Sequence, residues 1–299
     1  MKSQALRGSL LIALGATSYG MLGTFVKMAY QNGYSTAEVT FSQFALGFIV
    51  LLVLTSFWKR EPAKEPNRSN SKSILKLILA GTSLGLTSIF YYLAIQYIPV
   101  SVAIVLLIQT VWMGVVVEMI INRKTPGLRK ILSVVLILFG TVLATGLVKQ
   151  GVAINRTGFA WGLLSALSYT ATMYSSNGLE LHLPPLRRSL YMILGGLIII
   201  ALVFHSAIDE HFSYQIFFSW GLVVALFGTI LPPLLFTRGM PLTGIGLGAI
   251  IAAIEIPVAV FMAHLLLGER VALLQWLGVV LILAAVVLMN VVSRPAKLS

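Results

Sequence analysis

The chain has 299 residues, of which 58% are hydrophobic and 10% charged, with a formal net charge of +12 and no cysteine. That balance excludes an ordinary soluble domain, and the missing cysteines exclude disulfides, thiolate catalysis and thiolate metal sites. The composition fits an all-α integral membrane protein, because a helix of about 20 apolar residues crosses roughly 30 Å of hydrocarbon with its own backbone satisfied.

Ten apolar stretches, at 8–29, 37–57, 73–96, 99–120, 130–149, 157–178, 188–207, 216–237, 242–265 and 271–292, predict ten transmembrane helices. The first follows Lys2 and Arg7, but it is long for a signal peptide and "SYGMLGTFVK" offers no small-residue cleavage site, so it reads as a helix. Tyr19 lies near its middle. Lys27, toward its outer end, either snorkels to the headgroups or pairs with Glu255, roughly 8 Å deeper by residue counting. Gln43 in the second stretch and Tyr91 in the third are polar members of apolar runs. The segment "KREPAKEPNRSNSK", 59–72, is too polar to bury a core and reads as a loop.

In the fourth stretch Gln109 and Trp112 are three residues apart and share a helix face, where the indole either packs or walls a site. Tyr169 is central in the sixth, and Pro232 and Pro233 predict a kink in the eighth. "GIGLG", 244–248, precedes no dinucleotide-binding unit and predicts close helix packing or a hinge. The ninth stretch contains "IAAIEIPVAV", 251–260, which puts a carboxylate in an apolar run. An ionised Glu255 there costs several kcal/mol without a partner, a proton or water, so it is either hydrogen-bonded within the bundle or lines a cavity. Pro257 lacks an N–H and predicts a bend that frees the Ala253 carbonyl.

With the N-terminus in the cytoplasm, the loops on that side hold 17 of the 21 Lys and Arg residues: Lys2, Arg7, Lys59, Arg60, Lys64, Arg68, Lys72, Lys76, Arg123, Lys124, Arg129, Lys130, Arg187, Arg188, Arg238, Arg294 and Lys297. Lys149, Arg156 and Arg270 face the other side. The positive-inside rule therefore predicts cytoplasmic N- and C-termini. The basic residues follow this alternation and form no patch with interleaved aromatics, which argues against nucleic acid as a partner.

The chain reads as duplicated, with units 1–150 and 151–299. Ala16, Ser18 and Tyr19 coincide with Ala166, Ser168 and Tyr169 at an offset of 150, "IQTVWMGVVVEM" from Ile108 lies on "IEIPVAVFMAHL" from Ile254 at 146, and "VVLIL" occurs at both 134 and 279. Five helices per unit, an odd number, send the two copies into the membrane from opposite sides, as in transporters built from inverted repeats. The 146 alignment places Gln109 opposite Glu255. Tyr19, Gln109, Tyr169 and Glu255 all fall near the middle of their helices, the depth of the solute site in such folds.

"ALGATSYGMLGTFVK" and the closing segment "EIPVAVFMAHLLLGERVALLQWLGVVLILAAVVL", with its proline, its Gly268-Glu269 pair and a glycine in the last helix, resemble the EamA-type members of the drug/metabolite transporter superfamily. The resemblance spans the chain, although the first unit has Asn122-Arg123 where the second has Gly268-Glu269. It implies ten helices in two inverted five-helix repeats, a central cavity, and alternating-access transport of a small organic metabolite such as an amino acid across the inner membrane, with export favoured.

A multidrug or organic-cation transporter is the alternative. The candidate cavity residues are Glu255, Gln109, Trp112, Tyr19, Tyr169, Gln43, Tyr91 and Lys27, and Glu255 either takes up a proton during the cycle or contacts a cationic group of the solute. An intramembrane enzyme would need a nucleophile with its base, or a metal cluster, and neither HExxH nor GxSxG occurs. A passive channel would need a ring of like groups along a pore. No catalytic residue, metal or cofactor is expected, and the partners are the solute, a proton in one version, and the lipid bilayer.

Overall fold

The computed structural model describes residues 2–57, 71–98, 100–145, 155–208, 212–268 and 270–291, and among these it contains helices and no strand. Most of the 59–72 loop, together with Lys149, Glu269, Arg294 and Lys297, lies outside the described residues. The helices are α1 (Lys2–Gln31), α2 (Thr36–Phe57), α3 (Ser71–Tyr97), α4 (Val100–Leu107), α5 (Thr110–Asn122), α6 (Leu128–Ala144), α7 (Arg156–Gly178), α8 (Pro185–Val203), α9 (Trp220–Ala225), α10 (Leu231–Thr243), α11 (Ile245–Ala252), α12 (Glu255–Leu267) and α13 (Leu273–Val291). Seven rods are long and apolar enough to cross a membrane: 4–31, 36–57, 71–97, 103–122, 185–203, 220–243 and 245–267.

The eighth predicted stretch, 216–237, is corrected at both ends. Its first three residues belong to a 3-10 turn, Tyr214–Phe218, and the helix begins only at Trp220. Glu38 holds this turn: one carboxylate oxygen accepts the Ser213 N–H at 2.6 Å, and the other accepts the Ser35 N–H at 2.6 Å in a capping box that starts α2. The far end extends to Thr243 although Pro241 interrupts the backbone ladder. Pro232 and Pro233 leave the carbonyls four residues earlier without their N–H donors, and the chain answers with a π-helical turn at Leu226–Ile230 between α9 and α10.

Glycines let the helices approach closely. A Cβ on Gly81 or Gly195 would fall on the backbone of the facing helix, at Met192 in α8 and Ile78 in α3 respectively. Gly140 and Gly278 bring α6 and α13 together in the same way, and 7 residues along each helix the Ser133 hydroxyl reaches the Ala285 carbonyl at 3.4 Å. In the "GIGLG" run, Gly244 turns the chain at φ 83°, Gly246 admits the Glu118 carboxylate and Gly248 admits the Met240 sulfur. The run both turns the chain and packs closely.

At the α7–α8 corner Arg188 is 2% exposed and faces carbonyls in place of a carboxylate. Nε donates to Leu179 O at 2.9 Å, Nη2 to Ser176 O at 2.7 Å and Nη1 to Thr237 O at 2.8 Å. Thr237 O is the carbonyl whose helical donor would be the nitrogen of Pro241, so the guanidinium supplies the bond that proline cannot. The negative end of α7, which ends at Gly178, points toward this cation. Nearby, Glu180 meets Lys76 at 3.4 Å and His182 at 3.3 Å, and a hydrogen bond from Ser73, followed by the Lys76 charge, holds its carboxyl below the usual range.

Candidate solute site

Two rods break in their middles, and the breaks match. α4 and α11 have 8 residues each and α5 and α12 have 13 each, so the second pair repeats the first after 145 positions. The hydrogen bonds repeat too. Gln109 N bonds to Leu106 O and Val111 N to Ile108 O, while Ile254 N bonds to Ile251 O and Ile256 N to Ala253 O. Arg123 and Gly268, at φ 49° and 68°, end α5 and α12 in the same left-handed conformation.

This register corrects the pairing of Gln109 with Glu255. The offset is 145, the value already present in the two "VVLIL" runs, so Gln109 matches Ile254 and Thr110 matches Glu255. Likewise Arg123 matches Gly268, and Asn122 does not. A buried contact exchanges in the same way: the Thr110 and Thr170 hydroxyls meet at 2.7 Å at the first break, and the Glu255 backbone closes on Gly20 at the second. The sequence signal for Thr110 was there to be used, but the 146 alignment concealed it.

The Ala253 carbonyl does not face a cavity as Pro257 predicted, because the Ile256 N–H takes it at 3.2 Å. The chain tightens to 3-10 pitch at the break and satisfies the carbonyl locally.

Glu255 begins α12 and is half-buried. Tyr19 from α1, Tyr91 from α3 and Tyr169 from α7 lie within electrostatic reach of its carboxyl. Tyr169 is 4% exposed, and its hydroxyl lies beside the carboxyl without an aligned hydrogen bond. Its ring meets Tyr19 edge to face, with centroids 6.1 Å apart and planes at 86°. Phe236 of α10, which the sequence did not single out, stands 5.7 Å from Tyr19 at 67°. Gly20 makes this grouping possible, since a Cβ there would press on the Glu255 carbonyl and the Val258 side chain.

The other candidates have contacts of their own. Gln109 donates through Nε2 to Val105 O at 2.9 Å, the carbonyl its own backbone N–H leaves at the break, and accepts the Trp112 indole N–H at 2.8 Å. It serves its own helix, and Trp112 is 39% exposed. Gln43 is buried where α2 crosses the π-helical turn, with its side-chain amide against Gly228 and its backbone carbonyl accepting from Thr229 at 2.8 Å. Lys27 is exposed, eight residues beyond Tyr19, which is about 12 Å along α1.

Around this site the two broken rods are packed unequally. α5 lies against α11, with Gly114 on Ala249 and Glu118 on Gly246, and Lys130 of α6 closes on Glu118 at 2.8 Å. The 145-residue shift turns this pair into α12 and α4, and those two helices are packed on each other far less closely among the described residues. α11 is accordingly buried almost throughout, whereas α12 is half-buried from Val258 to Val260 and exposed at Phe261.

The EamA-like transporter family model matches residues 6–146 and again residues 156–291. The chain is 26% identical over 303 residues to the uncharacterized inner membrane transporter YicL of Salmonella typhimurium, with 96% of each protein covered. A crystal structure of a protein 12% identical superposes with a TM-score of 0.74 over 98% of this chain and 99% of that one, a likeness of fold. With its apolar helices, paired breaks and two matches to one family model, the chain belongs to the EamA-like transporter family of the drug/metabolite transporter superfamily and is a membrane transporter.

Proposed function

We propose that the protein is a secondary transporter of the inner membrane that moves a small organic solute, an amino acid or a similar metabolite, by alternating access past Glu255, with export favoured by family analogy. Ten membrane-crossing helices form two inverted five-helix repeats, 1–150 and 151–299. The observation that carries this reading is the pair of broken rods, equal in length and hydrogen bonding but packed closely where α5 meets α11 and loosely where α4 faces α12. A site between repeats is reached from alternate sides when one repeat adopts the packing of the other. The double family match and the inner-membrane relative support the same reading.

Two cysteines introduced into this cysteine-free chain test the mechanism. Gly114→Cys with Ala249→Cys is expected to cross-link in the resting protein and to stop solute counterflow in proteoliposomes, and reduction is expected to restore it. Normal counterflow from fully cross-linked protein would show that the α5–α11 contact is no gate. Topology is tested separately with a reporter at Ser299 that fluoresces only in the cytoplasm. The 17-to-3 distribution of loop charges predicts a bright fusion, and a dark one that is expressed and membrane-inserted overturns the orientation.

A further inference from the structure

Gln43 is a buried polar group that the solute site leaves unused. It is 3% exposed, and its Oε1 has no hydrogen-bond partner. The amide lies against the π-helical turn, where a Cβ on Gly228 would fall on its Nε2. An amide oxygen kept out of water without a donor is costly, so a glutamine held at such a position asks for a partner.

The turn that faces this amide is itself short of donors. The helical donor of Gly228 O would be the nitrogen of Pro232 at α spacing or of Pro233 at π spacing, and neither carries a hydrogen. The Leu231 N–H, the last before the prolines, goes to Leu226 O. Phe227 O is met from α1 by the Ser18 hydroxyl at 2.9 Å. A helix start ordinarily presents N–H groups and attracts anions. α10 opens on two prolines, so this break presents oxygens in their place.

We propose that the break between α9 and α10 binds an alkali-metal cation, with Gln43 Oε1, Gly228 O and the Ser18 hydroxyl oxygen as ligands. These are neutral, hard oxygens from α2, the π-helical turn and α1, and unwound backbone carbonyls at mid-membrane hold sodium in this way in other transporter folds. Magnesium and calcium ask for carboxylates. Glu38 is occupied by Ser35 and Ser213, and Glu255 begins α12 against Gly20. Ser18 and Gly20 are two residues apart, about 200° round α1, so the proposed ion and Glu255 lie on opposite faces of that helix. The site does not depend on the transporter reading, because binding is measured without transport.

The test is thermal unfolding of the full-length protein in detergent, in sodium, potassium or choline chloride at equal ionic strength. Sodium or potassium is expected to raise the melting temperature above its value in choline by about 3 °C, the shift for a ligand present at roughly ten times its Kd. Gln43→Leu is expected to abolish the increment, and Ser18→Ala to reduce it by about half or more. Each variant is compared with itself in choline, so a lower starting stability does not obscure the result. Gly23→Ala is expected to keep the whole increment, because nothing lies within 4 Å of a Cβ there. Binding of the radiolabelled cation to the purified protein is expected to follow the same order.

Equal melting temperatures in the three salts, with no bound label, overturn the site. An increment that persists unchanged in folded Gln43→Leu protein overturns Gln43 as a ligand and the placement with it. If Gln43→Leu does not fold, the decision rests on Ser18→Ala against Gly23→Ala, and equal increments in those two overturn the placement. Failure of solute counterflow would count against the transporter reading and leave this result untouched.

Discussion

Arg188→Met should cost about 3–5 kcal/mol of stability, the range seen when one side of a buried charged network is removed. Methionine fills much of the volume of the side-chain stem but donates nothing, so the carbonyls of Leu179, Ser176 and Thr237 lose the guanidinium together. Thr237 O is the worst placed, because Pro241 has no N–H to offer it. A buried carbonyl without a donor costs about 1–3 kcal/mol, and three such groups bring the sum to the expected range or above it. Arg188→Lys should recover only part of the loss, since one ammonium cannot reproduce the planar fork that reaches three carbonyls on two segments. Thermal unfolding in detergent, followed by intrinsic fluorescence, checks both variants, and a Met variant that melts with the native protein would show that water replaces the guanidinium without penalty.

Gly195→Val is expected to prevent assembly of the α3–α8 pair. The added carbons land on the Ile78 carbonyl, a backbone group that no rotamer change can move aside. Ordinary overpacking costs about 1–3 kcal/mol when side chains can shift, and here a whole helix must move, so the cost exceeds that range. Expressed as a fluorescent fusion and run on a sizing column, the variant should lose its monodisperse peak. Gly23→Ala is the matching control, because nothing lies within 4 Å of a Cβ at that position. A monodisperse Gly195→Val protein would mean that α3 and α8 tolerate a wider separation than their packing indicates.

The positions of the rods were legible because a long apolar run has few alternatives to a helix in lipid. Their interruptions were less so. Pro232, Pro233, Pro241 and Pro257 all announce a missing N–H, but how the chain compensates depends on neighbours distant in sequence. It uses a π turn before Pro232, Arg188 at Thr237 and a 3-10 step at Ala253. Tyr214–Phe218 is as apolar as a helix and became a 3-10 turn because Glu38 and the rings of Phe41 and Phe212 hold the segment across the bundle end.

In the candidate site, Glu255, Tyr19 and Tyr169 were recognisable as polar groups at one depth, and Tyr91 as a polar member of an apolar run. Phe236 was not, because an apolar residue in an apolar helix carries no sequence mark of which way it faces. Gln109 misled for a physical reason: a glutamine in the middle of a membrane helix signals an unmet hydrogen bond, and here the unmet bond was in its own backbone. The register of the repeat, once corrected by a single residue, moves attention from Gln109 to Thr110 and leaves the carboxylate without a twin.

Glu38 and Arg188 stand 150 residues apart, the offset that also relates Tyr19 to Tyr169, and each pins the start of its helix at one end of the bundle. With the termini in the cytoplasm, the fixed negative charge lies at the outer face and the fixed positive charge at the inner. The resting potential of a cell, negative inside, draws each of these charges toward the face it already occupies. Carrying either one through the whole field costs about 2.3 kcal/mol per 100 mV. In that orientation an energised membrane tightens both fastenings.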